Sequence, residues 1–415
     1  MARPQVNIRN AVGGDADAHP SILFIGCGPI WSGGAGYLLR QRMFVDALRA
    51  IGRVRMVVLD ADGGLEAPAD WNATIVPFPR RVRAGRARRA IKGAMSGTSP
   101  AMRGWRVEDV RRAVRAAGPH GHDAVFAYRI DHAFFAGVIG HQRLLLDIDD
   151  PEHVRRRRRA SVAGDIDRRQ ERELASLEAF ERQAVMNARA SFVCQAGDAA
   201  HFPGSSPIVV PNCVEIPESV SWRGQESSTL VIVGNFAGSP DSPNVDGLRW
   251  FLSEVWPRLV ERHPAARVDV IGRIGEALAS EVSAHDGVRV RGFVASLADV
   301  FADAAMSVAP IRFGTGTRVK IIESMAHGCP VVTTTPGFDG IDAAGGEDLV
   351  IGDGAEGLAD ACVGLLEDRE LLARVGAAGR MLAESRFDRR TEHDRLVRIL
   401  GELVGDRGRR TEAAA

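Results

Sequence analysis

The sequence predicts an α/β protein with two doubly wound domains, each built on a parallel β-sheet. Three observations predict this fold class. The 415 residues are enough for two domains of ordinary size. Short apolar runs typical of buried parallel strands alternate with helical segments along the chain. The alternation pauses near residue 216 and restarts with a strand at Thr229, which indicates a second sheet.

The first predicted strand begins at Ser21 and leads into a glycine-rich loop. The run SILFIG ends at Gly26, the first residue of GCGP; WSGGAG begins at Trp31, and a helix then continues to about Ile51. A glycine loop between a first strand and its helix is a common phosphate site in doubly wound folds. The spacing lacks the tight dinucleotide pattern, so a flexible connection is the alternative.

Acidic residues end the strand predicted over Leu144–Ile148. The chain continues there as Asp147-Ile-Asp149-Asp150-Pro. Carboxylates at the C-terminal end of a parallel strand lie where α/β folds bind ligands. A metal-binding D-x-D is the alternative. Asp147 lies between apolar strand residues, so we expect it to hydrogen-bond within the fold.

Two segments concentrate positive charge. Residues 80–92, from Arg80 to Lys92, hold seven basic residues and no acidic one, and five arginines run from Arg155 to Arg159. The first segment would attract phosphates or an anionic lipid surface, which predicts peripheral membrane contact, and a solvated helix or loop is the alternative. The second segment would add to an anionic acceptor site. Few aromatics are interleaved, so nucleic-acid binding is not expected.

The most specific pattern lies between Ala309 and Pro336. It predicts a strand end, a glycine loop at 314–317, a helix at 318–327 and a second strand at 331–335. The helix is apolar on two stripes, which predicts that it is largely buried. Lys320 and Glu323 share the remaining polar line, and a local pair between them on a solvated edge is the alternative to a ligand site.

The loop before this helix favours a ligand. Gly314 and Gly316 allow backbone amides to converge on an anion at the helix N-terminus. With Arg318 and Lys320 added, the site suits a diphosphate. Glu323, one turn deeper, can accept hydrogen bonds from a pair of hydroxyl groups such as a ribose offers.

These residues resemble the donor-binding signature of retaining glycosyltransferases of family 4, which have the GT-B fold of two Rossmann-like domains facing a central cleft. The matching string is G-x-G-T-R-x-K-x-x-E-x-M-A-x-G-x-P-V-V. The resemblance implies that Glu323 holds the nucleotide ribose and Lys320 the diphosphate. It also implies a donor loop formed by Gly314, Thr315, Gly316, Thr317 and Arg318. The family often has a glutamate beside the donor sugar at the position of Thr315.

The resemblance assigns further donor contacts. A Gly-Gly pair in the first loop, here Gly33 and Gly34, would let the backbone approach the diphosphate across the cleft. Gly234 and Asn235 occupy a loop where the family commonly has an arginine and a lysine, and this chain has neither up to Leu248. The segment containing Phe293 would line the nucleobase, largely through backbone groups.

On the acceptor side, the family often has a histidine at the end of the strand that matches Leu144–Ile148. Asp149 or Asp150 would replace it as a partner of the acceptor hydroxyl or as a positioning group. We add three basic candidates at neighbouring strand and helix positions of this domain: Arg129, His132 and, for the diphosphate, Arg40.

The activity implied is transfer of a sugar from a UDP- or GDP-sugar to an unidentified hydroxyl acceptor, retaining configuration. We expect neither a metal nor a cofactor, and we assign catalysis to Asp149, Asp150, Arg318 and Lys320. Two alternatives remain open. A nucleotide-sugar epimerase would turn over the donor without an acceptor, and a non-catalytic relative would bind nucleotide and give no product.

Composition sets the remaining expectations. Basic and acidic residues both number 53, so no overall charge selects nucleic acid or membrane. Five scattered cysteines and no signal pattern predict a reduced cytoplasmic protein, and residues 80–92 would allow peripheral contact with the inner face of the membrane. We expect a disordered lead-in over 1–19, domains over 20–216 and 217–385, a helix over 386–404 crossing back to the first domain, and a disordered tail over 405–415.

Overall fold

The computed structural model describes residues 19–32, 34–81, 105–164, 166–220, 222–239, 242–341 and 345–405. The lead-in, the tail and most of the basic segment at 80–92 therefore lie outside the described residues. So does Gly33.

The described strands form two parallel sheets, as the sequence predicts. The first sheet has seven strands in the order β3-β2-β1-β4-β5-β6-β7, and the second has six in the order β10-β9-β8-β11-β12-β13. The strands of the first sheet are β1 (Ser21–Cys27), β2 (Arg53–Asp60), β3 (Ala73–Pro77), β4 (Ala124–Tyr128), β5 (Leu144–Asp149), β6 (Ala190–Val193) and β7 (Ile208–Val209). Those of the second are β8 (Thr229–Val233), β9 (Arg267–Ile271), β10 (Val288–Gly292), β11 (Met306–Ala309), β12 (Val331–Thr333) and β13 (Val350–Ile351).

Helices cover both sheets. In the first half they are α1 (Gly36–Ile51), α2 (Glu108–Ala117), α3 (Ile130–Ala136), α4 (Glu152–Ala163), α5 (Arg168–Asn187) and α6 (Ala196–Ala199). In the second they are α7 (Pro243–Trp250), α8 (Trp256–Arg262), α9 (Glu276–Ser283), α10 (Ala298–Asp303), α11 (Val319–Ala326), α12 (Thr335–Phe338), α13 (Gly354–Glu367), α14 (Arg369–Arg386) and α15 (Arg389–Gly405). A π-helical stretch at Phe251–Val255 separates α7 from α8.

Each sheet has its own apolar core because its strands are buried on both faces. Strand residues of β1 and β4 such as Phe24 and Phe126 are fully buried, and their rings stack with centroids 5.2 Å apart. The last helix, α15, buries Leu396 and Leu400 in the core of the first sheet, where they pack beside α1. The chain thus returns to the domain in which it began.

The sequence missed several helices. The five arginines at 155–159 lie within α4, whereas periodicity gave no helix there because a run of like charges has no apolar stripe. The strand predicted over 331–335 ends at Thr333, and the short helix α12 follows it, with an N-cap at Thr334 whose side chain accepts a hydrogen bond from the Gly337 amide. Among the described residues, no helix is long and apolar enough to cross a membrane.

Candidate active site

The glycine loop before α11 presents unpaired backbone amides. Gly314 and Gly316 have φ angles of 136° and 75°, in the region that favours glycine. Among the described residues, nothing accepts a hydrogen bond from the amides of Gly314, Thr315, Gly316, Thr317 or Arg318. Buried amides without acceptors are uncommon, so this loop at a helix N-terminus is well suited to an anion.

Arg318 folds back over the loop. Its Nη1 donates to the Thr315 carbonyl at 2.5 Å, and its Nε is buried without a partner among the described groups. Burial lowers the pKa of Arg318. Thr315 is buried as well, and its hydroxyl also lacks a described partner. The position where the resembling family often has a glutamate is therefore occupied by a small, enclosed side chain.

Lys320 and Glu323 lie side by side on α11, but they do not pair with each other. Lys320 Nζ donates to Asn244 Oδ1 at 2.7 Å, and burial lowers its pKa to about 7, with a smaller contribution from Arg318. Burial also raises the pKa of Glu323 to about 7, and no described residue donates to its carboxylate. The alternative of a local pair on a solvated edge is wrong, because these groups are enclosed and uncompensated.

The loop after β8 frames the other side of Lys320. Gly234 continues from this strand, and the carbonyl of Asn235 accepts from Asn244 Nδ2 at 3.3 Å. Asn244 thus ties Lys320 to the Asn235 backbone. Phe293, just after β10, is 67% exposed, with the Arg273 guanidinium over its ring at 5.6 Å. An exposed aromatic ring can stack on a planar ligand, in addition to the backbone contacts expected of this segment.

The first-domain glycine loop reaches the second domain through α1. A Cβ added at Gly36 would lie 3.1 Å from a methyl carbon of Val319. The N-terminus of α1 therefore touches the first turn of α11. Gly34 is nearby in the chain, exposed, with φ 105° and open space around its Cα.

Arg40 is not available to a diphosphate, so that expectation is wrong. Its guanidinium donates to both oxygens of Asp147, at 2.8 and 2.6 Å, and to the Val210 carbonyl. Arg40 and Asp147 are both fully buried. Asp147 has the internal hydrogen-bonding role expected of it, and removing either partner would leave a buried charge uncompensated.

Asp149 and Asp150 face different ways. Asp149 is buried with φ 57°, and Tyr128 donates to it at 2.6 Å. Asp150 has no described hydrogen-bond donor. Its Oδ1 would be only 2.1 Å from a Cβ placed on Gly316, so its carboxylate lies against the donor loop. Burial and the neighbouring Asp149 raise the pKa of Asp150 to about 7.

The other two first-domain candidates are Arg129 and His132. Arg129 has the strained φ of 65°, and its Nη2 lies 3.6 Å from Glu152 Oε2. Its positive charge partly opposes the rise in the pKa of Asp150. His132 is buried, its Nδ1 lacks a described partner, and burial lowers its pKa. Within the described residues, no group of three or more His, Cys, Asp or Glu is arranged to hold a metal ion.

The arginine run does not form an open anionic site. Arg155 and Arg156 bond Glu152, and Arg157 bonds Glu171. Arg158 instead crosses to the second domain, to Gly314 and Asp339. Glu152 lies three and four residues before Arg155 and Arg156 on the same helix, whereas the partners of Arg157 and Arg158 lie on other elements and could not be identified from the sequence.

A cavity between the two halves of the chain lies away from the candidate donor residues. About 1150 Å³ is enclosed between the domains by residues that include Arg158, Phe313 and Asp339, and by Phe387 where the chain crosses back. Neither Lys320 nor Glu323 lines it. The amides without acceptors and the Glu323 carboxylate without a donor, rather than this cavity, mark the candidate donor site.

Comparisons with known structures define the class of fold. Sucrose-phosphate synthase from Thermosynechococcus elongatus superposes with a TM-score of 0.66 at 14% identity, covering 93% of this chain and 99% of that one. HepE of Anabaena, solved with UDP and glucose, gives 0.59 at 16% identity, covering 92% and 99%. The protein has the GT-B fold, with two Rossmann-like parallel-sheet domains.

The sequence comparisons locate a family within that fold. Residues 227–368 match the model of Glycosyl transferases group 1. A phosphatidyl-myo-inositol mannosyltransferase from Mycolicibacterium smegmatis is 29% identical over 216 residues, 49% of this chain and 53% of that relative. The chain thus matches about half the length of this relative and 32% of a second curated one. Residues 227–368 contain the whole donor loop and α11.

Proposed function

We propose that the protein is a glycosyltransferase that moves a sugar from a nucleoside-diphosphate sugar to an acceptor hydroxyl. One observation carries the proposal. Among the described residues, five backbone amides without acceptors stand at the N-terminus of a helix that also carries Lys320, bonded only to the neutral Asn244, and Glu323, whose carboxylate has no donor. This arrangement lies inside the segment that matches the family.

The free groups complement the two ends of a nucleoside diphosphate. The loop amides and Lys320 supply donors and positive charge for the diphosphate, and Arg318 adds a guanidinium beside the loop. Glu323 accepts hydrogen bonds from the two ribose hydroxyls. Gly34 brings first-domain backbone to the same cleft, with Gly33 beside it in the chain. Gly234 and Asn235 border Lys320, and Phe293 stands where a base can stack.

We infer transfer with retention and without a metal. The acceptor oxygen would bond to the anomeric carbon on the face from which the diphosphate leaves, and its proton would pass to the departing phosphate oxygen. Arg318, Lys320 and the amides would carry the charge that develops on that oxygen. Asp150, facing the loop from the first domain, would position the acceptor hydroxyl. Asp149, which accepts a hydrogen bond from Tyr128, would act beside Asp150 on the acceptor side.

The donor proposed is a UDP- or GDP-sugar. HepE, a structural neighbour, was solved with UDP-glucose, which supports a uridine donor, and a curated relative is a mannosyltransferase. The acceptor would dock on the first domain. For a lipid-linked acceptor, the basic segment at 80–92 would hold the protein at the inner face of a membrane in the cytoplasm.

Donor turnover tests the proposal. Release of UDP from UDP-glucose and of GDP from GDP-mannose is measured with a panel of hydroxyl acceptors, for the wild type and for Lys320→Ala. We expect release by the wild type with at least one donor, lowered by about 10²-fold or more in the variant, as when one donor to a developing oxyanion is removed. A variant that turns over donor at the wild-type rate would remove Lys320 from the site and overturn the proposal.

A further inference from the structure

The carbonyl groups of the donor loop are held from outside the loop. Gly314 O accepts from Arg158 Nη1 at 2.7 Å, and Thr317 O accepts from Asn212 Nδ2 at 3.3 Å. Both donors belong to the first half of the chain: Arg158 lies in α4, and Asn212 lies just after β7. Asn212 is itself fixed, because Arg40 donates to its Oδ1 at 3.2 Å.

Holding a carbonyl also orients the next amide. None of the described peptide bonds is cis. In a trans peptide the C=O and the following N–H point in opposite directions. Because the Gly314 carbonyl is directed at α4, the Thr315 amide points away from α4. Because the Thr317 carbonyl is directed at Asn212, the Arg318 amide points away from Asn212. Both amides are among those without an acceptor.

Arg158 is anchored on both sides of the cleft. The first turn of α4 is fixed by buried Glu181, which accepts from the amides of Glu152 and His153. From that helix, the Arg158 guanidinium reaches both Gly314 and the carboxylate of Asp339 in the second domain. Its neighbour Arg157 bonds Glu171 and stays within its own domain.

We propose that Arg158 is a positioning residue for the diphosphate. It holds the Gly314 carbonyl so that the Thr315 amide stays turned towards the donor. The donor loop therefore has its binding conformation only while α4 of the first domain is docked on it. The inference rests on the proposed function, since it concerns the diphosphate end of the same donor site.

A comparison of di- and monophosphates tests this role. Affinities for UDP, UMP, GDP and GMP are measured by titration calorimetry on the wild type, Arg158→Ala, Arg158→Lys and Arg157→Ala. We expect Arg158→Ala to weaken the bound diphosphate about three- to tenfold, as for loss of a partly exposed charge-assisted hydrogen bond. The matching monophosphate should change less than twofold. Arg157→Ala, on the same helix, should leave both affinities unchanged.

Arg158→Lys keeps the charge but cannot hold both partners, so its affinity for the diphosphate should lie between those of the wild type and Arg158→Ala. This second variant serves if the alanine variant does not fold. Equal losses for di- and monophosphate would indicate a merely structural role and overturn the proposal, as would no loss. A wild type that binds none of the four nucleotides would instead overturn the proposed function itself, and this inference with it.

Discussion

At the scale of single residues, the site is defined by polar groups that the described residues leave without a partner of opposite charge. Lys320 and Glu323 were identified from the sequence because a buried helix has no other use for a polar line. Arg40 was misassigned, since a sequence does not show that Asp147, 107 residues later, accepts hydrogen bonds from Nε and Nη2 of its guanidinium. The sequence also could not show that the Asp150 carboxylate faces Gly316, because this contact depends on how the two domains pack against each other.

The lowered pKa of Lys320 predicts pH-dependent binding. In the free protein Lys320 titrates near pH 7, and a bound diphosphate would raise that pKa by favouring the charged form. As pH rises from 7 to 9, the free lysine loses its proton, so affinity for UDP or GDP should fall by up to about tenfold per pH unit. The terminal phosphate, with a pKa of about 6, is already ionised over this range. Titration calorimetry at several pH values measures the fall.

Lys320→Arg is the matched control for this prediction. Arginine stays charged throughout the range, so the fall in affinity for UDP or GDP between pH 7 and 9 should be absent from that variant. If affinity fell with pH by the same factor in the wild type and in Lys320→Arg, Lys320 would not be the group whose proton controls nucleotide binding.

At the scale of elements, the strands and the α11 segment could be predicted, and the helices of the first domain less well. The strand predicted over Leu144–Ile148 is observed over Leu144–Asp149, because a short apolar run between turn residues leaves few alternatives. Helix α4 was missed, since five arginines hide the periodicity. Yet that helix supplies Arg158, so the element least visible in the sequence makes one of the contacts between the two halves.

The donor loop predicts a strong effect of a small substitution. An alanine at position 316 would adopt φ 75° and bring its Cβ within 2.1 Å of Asp150 Oδ1. The left-handed conformation alone costs about 1 kcal/mol. We therefore expect Gly316→Ala to lower the melting temperature by at least about 2 °C.

Gly364→Ala is the control for that loss. Gly364 lies exposed in α13 with open space around it, so alanine there should raise stability by about 0.5–1 kcal/mol. If Gly316→Ala melted at or above the wild-type temperature, the close contact between Asp150 and the loop would be wrong.

At the scale of the whole molecule, two sheets facing each other place the carboxyl ends of their strands around one cleft. The prediction of two parallel-sheet domains is confirmed, and the family match covers the segment in which the sequence pattern was most specific. The limits between domains, the role of each site residue and the absence of a metal stay predictions. The donor and acceptor could not be derived, because base and sugar contacts involve backbone groups and exposed surfaces that residue patterns do not specify.

The central claim is that α11 and its loop bind a nucleoside diphosphate, and melting temperature measures this most directly. UDP, GDP, ADP, CMP and dTDP are added to the wild type, to Glu323→Ala, and to Glu281→Ala, whose exposed carboxylate pairs with Arg249. A ligand of the folded state raises its melting temperature. We predict that UDP or GDP stabilises the wild type and Glu281→Ala but not Glu323→Ala. No stabilisation of the wild type by any diphosphate, or equal stabilisation of all three proteins, would contradict the claim.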